Sequence, residues 1–194
     1  MAFVTVSHFT EADVPVRTAL LHESRFQANL TDFAVATSDD ALVTGQLRTI
    51  AEEHDVKRIL TMRDRRGDIV GFAWITSIDW RSRTCELSFG LLPRYRGGYG
   101  VAAVAAANEY LREELNVRAI VNQVLDHNTM LLSARTQAAQ RRVLSPYDSY
   151  TVGEWRAAGY WSDTEETVRA QQDEAEDRRR ALADRVRALT QRTA

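Results

Sequence analysis

The stretch Arg83-Thr84-Cys85-Glu86-Leu87-Ser88-Phe89-Gly90-Leu91-Leu92-Pro93-Arg94-Tyr95-Arg96-Gly97-Gly98-Tyr99-Gly100 carries most of what can be read about the fold. From Arg83 to Leu92 it is rich in strand-forming residues, and Pro93, which has no N–H to give to a ladder, ends the strand. Beyond the glycines, Val101, Val104, Asn108, Leu111 and Leu115 recur at three- and four-residue spacing in an alanine-rich background, which predicts a helix over 100–115. A strand is expected over Arg118–Leu125. The unit is therefore β-strand, glycine turn, helix, β-strand. Free N–H groups at a helix N-terminus attract anions, and Gly97, Gly98 and Gly100 let a phosphate approach the main chain closely. Arg94 and Arg96 add positive charge at the same end. Taken alone, the turn fits a ligand-free tight turn equally well. No Gly-Lys-Ser/Thr follows it and no G-x-G-x-x-G occurs in it, so neither a nucleotide P-loop nor a dinucleotide fingerprint is present.

Upstream, Phe3–His8 alternates as a short strand, and Thr10-Glu11-Ala12-Asp13 has the form of a capping box opening a helix through Leu21. A second helix is expected from Asp39-Asp40 to near His54, leaving residues 23–38 as an irregular, substrate-facing loop. Strands follow over 58–62 and 69–78. Turns at Arg65–Asp68 and Asp79–Ser82 make these two and the strand at 83–92 antiparallel neighbours. Antiparallel strands in that position argue against a doubly wound sheet. Downstream, Asp126 or Asn128 caps a helix running to about Arg141, Ser145-Pro146 is read as a break, and Tyr147–Trp161 as a hairpin turning at Val152-Gly153-Glu154. The domain is expected to span 1–164. Residues 165–194 read as a charged C-terminal helix with Val168, Ala175, Leu182 and Leu189 seven apart, either solvated, packed on the domain or dimerising.

Length and composition, 194 residues with 44% hydrophobic and 27% charged, suit one globular domain. Lys57 is the lone lysine among 25 basic residues, a bias that makes arginine count uninformative. A net charge of -2 gives no general attraction to nucleic acid. Cys85 is the single cysteine, so no internal disulfide is expected, and no Cys/His cluster has metal-site spacing. Without a signal-peptide pattern or an 18-residue apolar run, a soluble, cytoplasmic protein is expected, with no membrane partner.

On these residues the chain resembles the GNAT superfamily of acyl-CoA N-acyltransferases, in particular its ribosomal-protein N-acetyltransferase-like branch. Asp68–Ala73 resembles the family's third strand, Cys85–Pro93 its fourth, Arg96–Gly100 its pyrophosphate loop, and Asp126–Thr129 the Asn-bearing entrance to the next helix. The resemblance implies an α/β (α+β) fold, a mixed, largely antiparallel sheet flanked by helices. It also implies transfer of an acetyl or other acyl group from acetyl-CoA or another acyl-CoA to a primary amine of a small molecule or a protein N-terminus.

The resemblance further assigns cofactor contacts to the backbone N–H of Leu91, to Arg96, Gly97, Gly98, Tyr99, Gly100 and Val101, and to Asn128, which would serve equally well as a helix cap. Glu86 is the leading base, a surface carboxylate being the alternative. Ser133 stands in the region where many members carry a tyrosine acid. Tyr99 occupies a position where the family's loop has glycine. Cys85 reads as a small buried residue rather than a nucleophile. Trp155 or Tyr160 could line an acceptor pocket. Three other functions stay open: a non-catalytic acyl-CoA-binding protein, an aminoacyl-tRNA-dependent amide-forming enzyme on the same fold, and an interaction protein that homodimerises through its C-terminal helix.

Overall fold

In the computed structural model, residues 3–29, 38–52, 57–128, 143–151 and 153–167 are described, with Arg169, Ala170, Asp177 and Arg180 beyond them. The chain divides into two compact units, Met1–Ser162 and Asp163–Ala194. The first unit contains β1 (Val4–His8), a 3-10 turn (Glu11–Asp13), α1 (Val14–Leu21), α2 (Ser24–Gln27), α3 (Asp39–Glu52), β2 (Arg58–Asp64), β3 (Ile69–Asp79) and β4 (Thr84–Leu91). A 3-10 turn (Pro93–Tyr95), α4 (Gly100–Glu113), β5 (Ala119–Leu125), β6 (Val143–Thr151) and β7 (Glu154–Thr164) complete it, the last strand running two residues past Ser162.

Seven strands form one sheet in the order β1-β2-β3-β4-β5-β7-β6. β1 to β4 are antiparallel neighbours, β4 and β5 are parallel, and β6 and β7 form the closing hairpin. Because α4 connects β4 to β5, the parallel step follows from the crossover. One face of the sheet packs Leu60, Met62, Ala73, Ile75, Cys85 and Ile120 against Ala103, Ala107 and Leu111 of α4. The other packs Ile59 and Phe72 against Phe9, Val14 and Leu20, with Phe26 of α2 and Val43 and Ile50 of α3 closing over them. Two core glycines are there for lack of a side chain. A Cβ on Gly71 would lie 2.2 Å from the Gly90 carbonyl oxygen, and one on Gly90 would lie 2.4 Å from the Phe26 ring.

The turns form as their residues dictate. Asp64 Oδ1 accepts the Arg66 and Asp68 N–H groups at 2.8 and 3.1 Å, and Gly67 takes φ of 87°. Asp79 Oδ1 does the same for Arg81 and Ser82. At the start of α1 the Thr10 N–H and hydroxyl both donate to Asp13 Oδ2, at 3.1 and 3.0 Å. Burial raises the Asp13 pKa, but bonds from Thr61 and Thr10 and the charge of Arg63 outweigh it, so the net shift is downward.

Two expectations differ from what is observed. Residues 24–27 form the short helix α2 inside the stretch expected to be irregular. Ser145-Pro146 does not break the chain, because β6 runs through it. β6 is the edge strand, and its pairing with β7 shifts register between Ser145 and Ser149, so Pro146 sits at an irregularity where no ladder N–H is needed. The helix expected from Asp126 or Asn128 to Arg141 falls, from residue 129 on, outside the described residues. Ser133 falls there too, as do the four heptad positions of the tail.

Candidate active site

The pairing of β4 with β5 covers Thr84, Cys85 and Glu86 and then stops. β4 nevertheless continues to Leu91 and β5 to Leu125, so the sheet carries a gap beyond Glu86. Which backbone groups face that gap follows from the antiparallel ladder on the other side. The Leu92 N–H bonds to the Val70 carbonyl at 2.9 Å, which makes the adjacent pair, Leu91 with Gly71, a non-hydrogen-bonded one. By this alternation the N–H groups of Phe89 and Leu91 point away from β3, toward the gap. The Leu91 carbonyl accepts a hydrogen bond from Arg96 Nε at 3.1 Å. The Leu91 N–H is thus directed at the opening.

At the same end lies the N-terminus of α4. Gly97 has φ of 93°, the left-handed region, and a Cβ at Gly97 or Gly98 would meet nothing within 4 Å, so the turn is open. Tyr99 is the N-cap residue with φ of -92° and makes no side-chain cap bond. The first-turn amides preceding that of Ala103, which bonds to the Tyr99 carbonyl at 2.9 Å, have no intrahelical acceptor. Such donors together with the helix dipole suit a pyrophosphate. Tyr99 needs none of glycine's freedom. Its ring packs 4.6 Å from Phe3 and 4.9 Å from Tyr95, turned toward the core beneath α4. Val101 is 86% exposed beside these amides, although an apolar side chain would ordinarily be covered. Gly100 approaches Leu91 Cδ1, to which a Cβ would be 3.8 Å.

Arg96 is used differently from its neighbours. Its Nη2 lies 2.7 Å from Glu23 Oε2, and that bond, with the accompanying charge, holds the Glu23 carboxyl below its ordinary value. Arg96 therefore ties the glycine turn to the residue preceding α2. Asn128 follows β5, half-buried, with its N–H on the Leu125 carbonyl at 2.9 Å. His127 Nε2 lies 2.8 Å from the Ala28 carbonyl oxygen, joining the same loop to the end of α2.

Glu86 stands at the fork, exposed, on the sheet face that carries Trp74 and Phe72 rather than α4. The Thr76 hydroxyl donates to its Oε2 at 3.1 Å, leaving Oε1 for another partner. Cys85, one residue earlier, points into the α4 core. Burial, and then the Glu86 charge, push its thiol up to about 11, so it is no nucleophile.

Across the fork is a polar cluster that no sequence motif announces. The Tyr160 hydroxyl of β7 donates to Asp148 Oδ1 of β6 at 2.5 Å. Gln123 Nε2 of β5 donates to the Tyr160 oxygen at 2.7 Å and also to Asp148 Oδ2, which further accepts the Ser149 hydroxyl at 3.0 Å. Burial first, then the Asp148 bond and charge, with a smaller contribution from Glu86, push the Tyr160 phenol up to about 12. Gln123 lies two residues beyond Val121, the β5 partner of Glu86, and so on the same face of the sheet beside the fork. Tyr160 is one of the two residues, with Trp155, expected to line an acceptor pocket. Gln123 and Asp148, 25 positions apart, carry no signal of their own.

Among the described residues, no group of His, Cys, Asp and Glu could hold a metal, and no helix is long and apolar enough to cross a membrane. A family model, the acetyltransferase (GNAT) domain, matches residues 4–135, more than half of the chain. A spermidine N-acetyltransferase from Vibrio cholerae, solved in complex with CoA and spermine, superposes with a TM-score of 0.72 at 15% identity, over 85% of this chain and 97% of its own. A dodecameric structure of the Vibrio cholerae spermidine N-acetyltransferase gives a TM-score of 0.65 at 16% identity, over 84% and 94%. At those identities the likeness is one of fold. No curated protein sequence matches the chain. The open Gly97-Gly98 turn, the uncapped α4 amides and the gap beside Leu91 fit the phosphate and pantetheine portions of an acyl-CoA. The chain belongs to the GNAT acetyltransferase family, and as such is an acyl-CoA-dependent N-acetyltransferase with acetyl-CoA as its co-substrate.

Proposed function

We propose that this enzyme acylates a primary amine of a small molecule or a protein N-terminus on the sheet face that carries Glu86, with Glu86 as the base. The observation that carries this reading is the end of β4–β5 pairing at Glu86. It puts a carboxylate at the point where the Phe89 and Leu91 amides open onto the gap. Bound acetyl-CoA supplies a thioester activated toward amines. The first-turn amides of α4 and the turn at Gly97 and Gly98 hold the phosphates, and the Leu91 N–H orients the acyl carbonyl and stabilises negative charge developing on its oxygen.

An amine is nucleophilic only when neutral. Glu86 Oε1, free of the Thr76 bond, takes its proton directly or through one water; the C–N bond forms as the C–S bond breaks, and the abstracted proton balances the departing thiolate, which is released as CoA thiol. Tyr160 keeps its own proton on Asp148 and is raised too far to act as a base. Its remaining lone pair accepts an N–H of the incoming amine, so the phenol orients the acceptor. Two carboxylates, Glu86 and Asp148, around that phenol favour a cationic amine. Polyamines, the substrates named for the structural neighbours, are therefore one acceptor class to test. N-terminal peptides, the acceptors implied by the ribosomal-protein branch, are the other.

The test is calorimetric titration of the full chain with CoA, followed by thiol release from acetyl-CoA with a panel of polyamines, amino acids and N-terminal peptides. Saturable CoA binding with amine-dependent thiol release is expected. Absence of CoA binding would overturn the reading, and CoA binding without release by any amine would leave a non-catalytic binder.

A further inference from the structure

Where β3 passes Glu86 it has one residue more than β4 has to match it. Thr76 pairs with Glu86 and Asp79 with Thr84, so Ser77 and Ile78 lie opposite Cys85 alone. Such a bulge bends the strand and re-aims the side chains beside it. Ser77 takes φ of 53°, the left-handed region that a residue with a side chain seldom enters. Strict alternation from Ile75 would put Ser77 in the α4 core and Ile78 on the face that carries Glu86. With the extra residue, Ile78 instead joins Cys85 in the α4 core, buried, and Ser77 is exposed.

The bulge therefore keeps an apolar side chain off the sheet face at the fork and leaves Thr76 as the cross-strand neighbour of Glu86 there. The Thr76 hydroxyl donates to Glu86 Oε2 at 3.1 Å. The main chains behind the two side chains are fixed as well. The Leu92 N–H bonds to the Val70 carbonyl, and counting along the unbroken register by twos makes Thr76 and Glu86 a hydrogen-bonded pair. Threonine is branched at Cβ, so its χ1 is restricted and the hydroxyl has few positions to take.

Glu86 needs such a restraint. It is exposed, and an unrestrained glutamate side chain spreads over many rotamers, each with its carboxylate in a different place. A base works only when its oxygen is within hydrogen-bond reach of the proton it takes, and misplacement by an ångström costs on the order of a hundredfold in rate. Burial of Ile78 accounts for the bulge but not for a hydroxyl at position 76. Strand propensity there would be served as well by valine, which has no donor. The contact engages the oxygen that the reaction does not use and leaves Oε1 for the amine.

We propose that Thr76 is a positioning residue for the acylation, its hydroxyl holding Glu86 Oε2 so that Oε1 is presented to the amine, with the bulge at Ser77 and Ile78 keeping that face clear for the contact. The assignment rests on Glu86 being the base. Thr76 itself exchanges no proton with the substrates: the amine proton goes to Glu86 Oε1, directly or through one water.

The test measures thiol release from acetyl-CoA by the full chain, with spermidine as acceptor or, where spermidine releases none, the amine of the panel that releases most. Thr76→Val suits a strand and should melt within a few degrees of the wild type. It is expected to lower kcat roughly tenfold or more, the loss that goes with one hydrogen bond to a charged group, while KM for both substrates stays within about twofold. Thr76→Ser keeps the hydroxyl and should recover most of kcat, which a role in packing alone would not give. In a Glu86→Gln background Thr76→Val should cost nothing further, because the residue acts only through the carboxylate. An unchanged kcat in Thr76→Val while Glu86→Gln lowers it overturns this proposal alone. So does a Thr76→Ser no more active than Thr76→Val, or an undiminished loss in the Glu86→Gln background. Full activity of Glu86→Gln, or no thiol release with any amine, overturns the reading of Glu86 as the base and this proposal with it.

Discussion

Two carboxylates and a phenol at the β4–β5 fork have different assignments because their surroundings differ. Glu86 is exposed with one oxygen engaged by Thr76, whereas Asp148 is saturated by Tyr160, Gln123 and Ser149. Glu86→Gln removes the proposed base and keeps the Thr76 contact. Its kcat/KM should fall roughly 10²–10⁴-fold, the usual share of general-base catalysis, with CoA affinity unchanged. Tyr160→Phe should raise KM for the amine more than it lowers kcat, because it removes an orienting acceptor. Neither the wild type nor Glu86→Gln should show a tyrosine limb in its pH–rate profile below about pH 10, since the phenol is held near 12. A limb near neutrality that disappears in Tyr160→Phe would reverse the two roles. Cys85 supplies an independent check: its thiol is buried and raised to about 11, so native protein should show no fast-reacting thiol and denatured protein one. The thiol-release assay therefore has no background from the enzyme.

Among the elements, α4 and the turn before it are the ones proposed to hold the co-substrate. The first residue of α4, Gly100, has room for a side chain, its nearest neighbour being Leu91 Cδ1 at 3.8 Å. Gly100→Asp should therefore fold normally while setting a carboxylate where the phosphates belong. CoA binding should be lost, about a hundredfold or more in Kd, with the melting temperature little changed. The Arg96–Glu23 pair joins this turn to α2. Glu23 has its pKa depressed by Arg96, so its contribution to stability is full above its ordinary value of 4.5 and is lost as pH falls through the lower folded value. Melting curves of wild type and Glu23→Gln should accordingly differ most above pH 4.5 and converge in acid.

These elements were legible to different degrees. β2 to β5 and α4 follow from periodicity, turn residues and Pro93, because each depends on neighbours in sequence. Pro146 misled because its tolerance comes from an edge position and a register shift, which are properties of the sheet. The four-residue α2 is too short for a periodic pattern, and it is held from outside by Phe26 against Trp74. The Gln123–Asp148–Tyr160 cluster was hidden for a similar reason, since three strands must pair before its members meet.

At the scale of the molecule, the proposed acyl-CoA site draws its residues from strands and helices inside Met1–Thr164. Among the described residues, the hydrophobic clusters that support it lie before residue 130. The charged segment from 165 onward starts with a local stop: the Thr164 N–H donates to the Thr167 hydroxyl at 2.8 Å, and the Thr167 N–H to the Thr164 hydroxyl at 3.2 Å. That reciprocal pair satisfies donors at the start of a helical turn without help from elsewhere. We propose that residues 165–194 serve association between copies, through the seven-residue spacing of Val168, Ala175, Leu182 and Leu189. Truncation after Thr164 keeps all of β7, so the shortened protein should melt within a few degrees of the full chain and bind CoA within about twofold. In sedimentation the full chain should run as a concentration-dependent oligomer and the truncated one as a monomer. Equal sedimentation of both would remove the tail from any role in assembly. A truncated protein that lost CoA affinity would show instead that the tail supports the acyl-CoA site.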